Sequence, residues 1–218
     1  NDLAVEVSET AVLTLANLVQ ASTGTPSAFT LTITNDDCAV ANAIAFQGFE
    51  GDSCDSWAIT SGAGNVSTST GGSDFPATNR IRNGTHSWQY NNDGSATNLE
   101  LAPVSLAGYN AVTVQVHFTS TSTSSGNGAD QTDNLKIFVS LNNAPYSATP
   151  DVQVNGFGNG KWGWYATNFL NTTAGSQIVS PNSADVTNYA TANIAIPDGY
   201  ANVRLRITVL NNDNAEIW

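Results

Sequence analysis

Two runs of strict alternation open the chain. Val12 and Thr14 point one way while Leu13 and Leu15 point the other. Further on, Phe29, Leu31 and Ile33 share one side and Thr30, Thr32 and Thr34 share the opposite side. The stretch Ala21-Ser-Thr-Gly-Thr-Pro-Ser between them is turn-forming, so the two runs predict a half-buried hairpin. Two strands alone are marginal in water. The ribbon is therefore expected to cover its apolar side with an upstream segment, with the rest of the chain or with a neighbouring molecule.

From residue 43 onward, short strand-like segments recur between Gly, Asn and Ser. They cover 43–49, 57–60, 87–89, 98–101, 111–118, 134–141, 152–155, 192–196 and 203–210. The pattern is clearest where Val112, Val114, Val116 and Phe118 share one face, and where Val203, Leu205, Ile207 and Val209 oppose Arg204 and Arg206. Period-2 alternation with one polar face marks antiparallel sheets packed face to face. No segment sustains an apolar stripe of helical period. The expected fold is all-β: an antiparallel jelly-roll-like β-sandwich over 44–218, a linker at 38–43, and a β-hairpin segment over 1–37. Two polar tracts, 62–80 and 119–132, supply little core and are expected to be functional or mobile loops.

Charge narrows the partners. Acidic residues number 18 against 6 Lys and Arg, for a net charge of −12. Phosphate binding needs a Lys/Arg footprint that is missing here, which argues against nucleic acid and against anionic membrane surfaces. The natural complement to surplus carboxylates is a divalent cation, Ca²⁺ first because it takes many oxygen ligands. No apolar run approaches the length of a transmembrane helix, so membrane insertion is not expected. Cys38 and Cys54 are the only cysteines. They are either two unrelated small residues or a disulfide, and their isolation from any CxxC pair or histidine cluster favours the bridge over zinc. A bridge implies an oxidising compartment, hence an extracellular, secreted or cell-surface protein.

Glu9-Thr-Ala-Val-Leu-Thr-Leu-Ala-Asn, then Gly24-Thr-Pro-Ser, then Phe29-Thr-Leu-Thr-Ile-Thr-Asn-Asp-Asp resembles the C-terminal half of a Calx-beta repeat. The resemblance implies a Ca²⁺-associated sandwich of the kind found in tandem in extracellular adhesins. It makes Asp36 and Asp37 candidates for a cation at the junction. The second unit is similar to jelly-roll modules of secreted bacterial proteins. That similarity rests on Phe49-Glu-Gly followed by Trp57, on the strand beginning Asp133-Asn-Leu-Lys-Ile-Phe-Val, and on Ala215-Glu-Ile-Trp. It implies a non-catalytic binding or architectural module, sometimes attached to a hydrolase.

Candidate sites follow from these segments. Glu50, Asp52 and Asp55 crowd one Gly-containing loop, and Glu216 lies near the end of the sequence. If first and last strands lie side by side, the four carboxylates converge on one Ca²⁺; otherwise they form a solvated acidic loop. Asp130 with Asp133 is a second candidate, in which a cation pins the 119–132 tract. Trp162, Trp164 and Tyr165, and separately Trp88, form either a stacking platform for sugar rings or part of the core. For catalysis the chain offers only His86 and His117 and no Gly-x-Ser-x-Gly elbow, so no enzyme is expected. The expected function is adhesion or glycan binding with structural Ca²⁺, the partner being a glycan or another surface protein, copies of itself included. Rivals are a filament subunit assembled by β-strand donation and an accessory domain of a secreted hydrolase or nuclease.

Overall fold

The computed structural model describes residues 9–14, 28–33, 43–68, 80–91, 94–122, 129–158, 161–165, 177–180, 189–214 and 216–218. The hairpin forms where the alternation predicts it: β1 (Glu9–Thr14) pairs antiparallel with β2 (Ala28–Ile33) in a two-stranded sheet of their own. Next come β3 (Ile59–Ser61), a single 3-10 turn (Ala63–Asn65), β4 (Val66–Ser67), β5 (Ser87–Trp88), β6 (Thr97–Leu101) and β7 (Val104–Ser105). After these follow β8 (Thr113–Phe118), β9 (Thr121–Ser122), β10 (Asn134–Leu141), β11 (Val152–Gly158) and β12 (Lys161–Tyr165). The last four are β13 (Gln177–Ser180), β14 (Ala190–Ala195), β15 (Asn202–Leu210) and β16 (Glu216–Ile217).

One large antiparallel sheet has the order β13-β12-β11-β10-β15-β6-β3, with β7 also paired to β15. A second sheet of β14 and β8 faces it, while β16 with β9 and β4 with β5 form short ribbons. The alternation decides which side chains meet between the layers. Val114, Val116 and Phe118 of β8 and Ala192 and Ile194 of β14 share one core with Leu135, Ile137, Leu205, Val209, Leu99 and Leu101 of the large sheet. Thr113 and Gln115 stay exposed, as the pleat requires. The result is a β-sandwich-like all-β protein.

On the outer face, Arg204 and Arg206 lie over the Tyr146 ring at 4.5 and 4.2 Å, and Arg206 also covers Phe138 at 4.7 Å. That cover explains why Phe138, on the non-core side of β10, is buried.

Residues 43–49, expected as a strand, do not form one. Their amides are taken by side chains: Phe46 N donates to Ser56 Oγ, Gly48 N to Asp55 Oδ1 and Phe49 N to the Gln47 side chain. Phe49 also sits at φ +67°, which a strand cannot contain. Cys54 is disulfide-bonded. Cys38, the only other cysteine in the chain, lies outside the described residues.

Candidate metal centre

β10 and β15 run antiparallel with Asn134 opposite Leu210. This register carries the residue before β10 and the turn after β15 to the same end of the sheet. Asp133 and the 211–216 turn therefore become neighbours although some 80 residues separate them. Asp133 is buried, and both of its oxygens are engaged: Oδ2 accepts from Asp130 N at 2.7 Å and Oδ1 from Asn212 N at 3.0 Å. Asp130 Oδ1 accepts from Thr132 N and Thr132 Oγ1, both at 2.9 Å, which fixes the turn leading into β10.

The opposite wall is the turn that ends in β16. Asn211, fully buried, donates its amide to Glu216 O at 2.9 Å and to Tyr90 O at 3.0 Å. Its second side-chain bond thus ties the turn to the strand region around Tyr90. Glu216 then pairs with Ser122 of β9. Gly156 on β11 completes the packing by donating its N–H to Asp133 O at 3.0 Å. A Cβ at Gly156 would fall 1.9 Å from Asp130 O, so only glycine lets β11 press against this turn.

Asp130, Asp133 and Glu216 each bring a carboxylate oxygen within 4.8 Å of the others. Glu216 is 95 % buried, at 5 % exposure, and its Oε2 has no hydrogen-bond partner. Burial, then the proximity of Asp133, Asp130 and Asp213, pushes the Glu216 carboxyl up to about 8. Burial likewise raises Asp133. Three carboxylates at this separation cannot all be ionised without a positive partner. The cluster has two chemical outcomes: it keeps a proton between Asp133 and Glu216, or it takes a hard cation. An all-oxygen set of carboxylates suits Ca²⁺ or Mg²⁺ rather than Zn²⁺, which prefers nitrogen and sulfur.

The residues expected to meet Glu216 do something else. Glu50 turns to the 84–86 loop, where Oε1 accepts from Thr85 N at 2.9 Å and His86 N at 2.8 Å, and Oε2 accepts from Thr85 Oγ1 at 2.6 Å. His86 Nδ1 lies 3.2 Å from the same Oε2. Burial raises the Glu50 carboxyl, but these bonds from Thr85 and His86 outweigh it and hold the group at about 2. Asp55 bridges Gly48 N and Gly51 N, each at 2.6 Å, and Asp52 accepts from Cys54 N at 2.8 Å. Glu50, Asp52 and Asp55 are loop staples. Among the described residues Glu216 joins Asp130 and Asp133 and not these three.

Trp88 donates its Nε1 to Gly62 O at 2.6 Å, stacks on Tyr90 at 6.2 Å and packs against the core, so its ring is structural. Trp162, Trp164 and Tyr165 lie on β12, whose side chains are outside the described residues, as are Asp36 and Asp37. His117 Nδ1 pairs with Thr191 Oγ1 at 2.8 Å across β8 and β14. The comparisons add no relative: no protein-family model, curated protein or solved structure matches the chain.

Proposed function

We propose that this protein is a non-catalytic extracellular module of jelly-roll type, serving adhesion or glycan binding, in which Ca²⁺ has a structural role. The observation that carries the reading is the group formed by Asp130, Asp133 and Glu216. It joins two distant segments and leaves a buried Glu216 oxygen without a donor. A cation there clamps the entry of β10 to the last strand and so closes one end of the sandwich. The disulfide at Cys54 supports an oxidising compartment. Resemblance of the opening segment to a Calx-beta repeat supports a place in a modular surface protein. We assign glycan contact to Trp162, Trp164 and Tyr165 on β12, because Trp88 is committed to the core.

Calorimetric unfolding with CaCl₂ and with EDTA tests the structural role. Ca²⁺ is expected to raise the midpoint, and an identical midpoint in the two buffers removes it. A glycan array read with the Trp162→Ala and Trp164→Ala variants tests the binding role. An array blank for the wild type removes it.

A further inference from the structure

The outer face of the large sheet gathers cations on an otherwise acidic chain. β10 and β15 pair so that Lys136 stands opposite Thr208, Phe138 opposite Arg206 and Ser140 opposite Arg204. Alternate residues of a strand share a face. Ile137, Val139, Leu205 and Val209 belong to the core. Lys136, Phe138, Arg204 and Arg206 therefore all lie on the side away from β8 and β14. Three of the six Lys and Arg residues of the chain are on this one face. On β6, Glu100 stands opposite Arg206 and Asn98 opposite Thr208. Glu100 is the only acid in β6, β10, β11 and β15. The face is thus locally positive, although the whole chain carries −12.

The three cations differ in how far the protein uses them. Arg204 is committed: Nε donates to Ser140 Oγ at 3.1 Å and Nη2 to Ala144 O at 2.7 Å. Arg206 is held by stacking, 4.2 Å over the Tyr146 ring and 4.7 Å over Phe138, yet it donates no hydrogen bond to any described residue. Its ionic neighbour, Glu100 Oε1, is 3.8 Å from Nη1, too far for a hydrogen bond. Arg206 Nε and Tyr146 Oη are buried without an acceptor. Orphaned donors are rare in a finished structure and call for a reason. Lys136, diagonal to Arg206, is half-buried and makes no ion pair among the described residues. Two cations with unspent donors, one of them fixed by aromatic rings, make a preorganised place for an oxyanion.

Charge decides which oxyanion can enter. A net −12 repels polyanions, so nucleic acid does not fit. Glu100, 32 % exposed beside Arg206, also repels a bare anion, but its oxygens accept hydrogen bonds from hydroxyl groups. Exposed Asn98 accepts from Thr208 Oγ1 at 2.6 Å through Oδ1, which leaves its N–H donors facing outward. Cations beside a carboxylate acceptor and an amide donor suit a molecule with one carboxylate and several hydroxyls. An acidic sugar has that chemistry.

We propose that the outer face of β10 and β15 binds the carboxylate of an acidic sugar. Lys136 and Arg206 are its charged donors, and Glu100 accepts from a neighbouring hydroxyl. The site rests on the glycan reading above for the carrier of the charge, and it shares no residue with the Asp130, Asp133 and Glu216 cluster.

A glycan array that pairs neutral sugars with their uronate-bearing counterparts measures the preference. Nitrogen-15 NMR titration of the full chain with sodium glucuronate locates the carboxylate. The expected results are acidic sugars bound over neutral ones by about tenfold, and shifts concentrated at residues 136–140 and 204–208. Lys136→Gln should weaken acidic binding by about tenfold and leave neutral binding unchanged. Arg206→Lys keeps the charge but loses the planar fork, so it should weaken acidic binding as well. If Arg206→Lys does not fold, Lys136→Glu takes its place and should abolish acidic binding. An array bound only through neutral sugars overturns the proposal and leaves the glycan reading standing. A blank array removes the glycan reading; glucuronate shifts on β10 and β15 then uphold the carboxylate site, and their absence overturns it. Acidic binding that the variants leave unchanged also overturns it.

Discussion

Asp133 Oδ1 accepts the backbone N–H of Asn212 at 3.0 Å, so a carboxylate at the start of β10 holds the turn that delivers Glu216. This bond and the one from Asp130 N leave the Asp133 charge buried beside a second acid. The arrangement is costly without a positive partner and favourable with one.

Ca²⁺ should therefore stabilise the fold, by about 2.7 kcal/mol when free cation is at 100 times its dissociation constant. For a domain of this size that is a rise in melting temperature of about 5–10 °C. Asp133→Asn removes a ligand charge and should abolish the rise, which differential scanning calorimetry in CaCl₂ and EDTA reads directly. A variant that keeps the full rise places the ion elsewhere.

In EDTA the pH dependence should have an unusual sign. The Glu216 carboxyl is raised to about 8 against an ordinary 4.5, so the folded state binds more protons between these values. Stability then falls as pH increases from about 4.5 to about 8 and levels off above. Saturating Ca²⁺ replaces the proton and should flatten this limb. Melting temperatures at half-unit pH steps, with and without the cation, check both statements.

Glu50 should produce the opposite limb. Held at about 2, it contributes stability that is present above pH 4.5 and lost as pH falls toward 2. Glu50→Gln should remove that acid limb and destabilise the protein at pH 7 by about 1–3 kcal/mol, since the Thr85 and His86 amides lose a charged acceptor. Urea denaturation at pH 7 and pH 3 compares the two proteins. Equal losses at both pH values would mean that the charge of Glu50 is irrelevant.

Gly156→Ala should be harmful beyond its size. The new methyl would sit 1.9 Å from Asp130 O, and the turn carrying Asp130 must move to admit it. We expect a destabilisation of about 1–3 kcal/mol together with weaker Ca²⁺ binding. Isothermal titration detects the second effect, and unchanged affinity would show that the turn does not position the ligand.

Much of the sandwich was legible in the alternation. Val114, Val116 and Phe118 are inside, as are Val203, Leu205 and Val209, because a two-residue period leaves only one way to hide an apolar face. Residues 43–49 misled the same reasoning. Their apolar content looks strand-like, yet Ser56, Asp55 and Gln47 compete for the amides a ladder would need, and that competition is invisible without the fold.

The carboxylate cluster divides along the same line. Sequence alone supplied the acids, the surplus of negative charge and the pairing of Asp130 with Asp133, because these depend on composition and short spacing. Only the tertiary structure decided that Glu216 belongs with them and that Glu50 turns to His86, because this depends on the register of β10 against β15. Register is set by how two distant apolar faces mesh, and no local pattern encodes that.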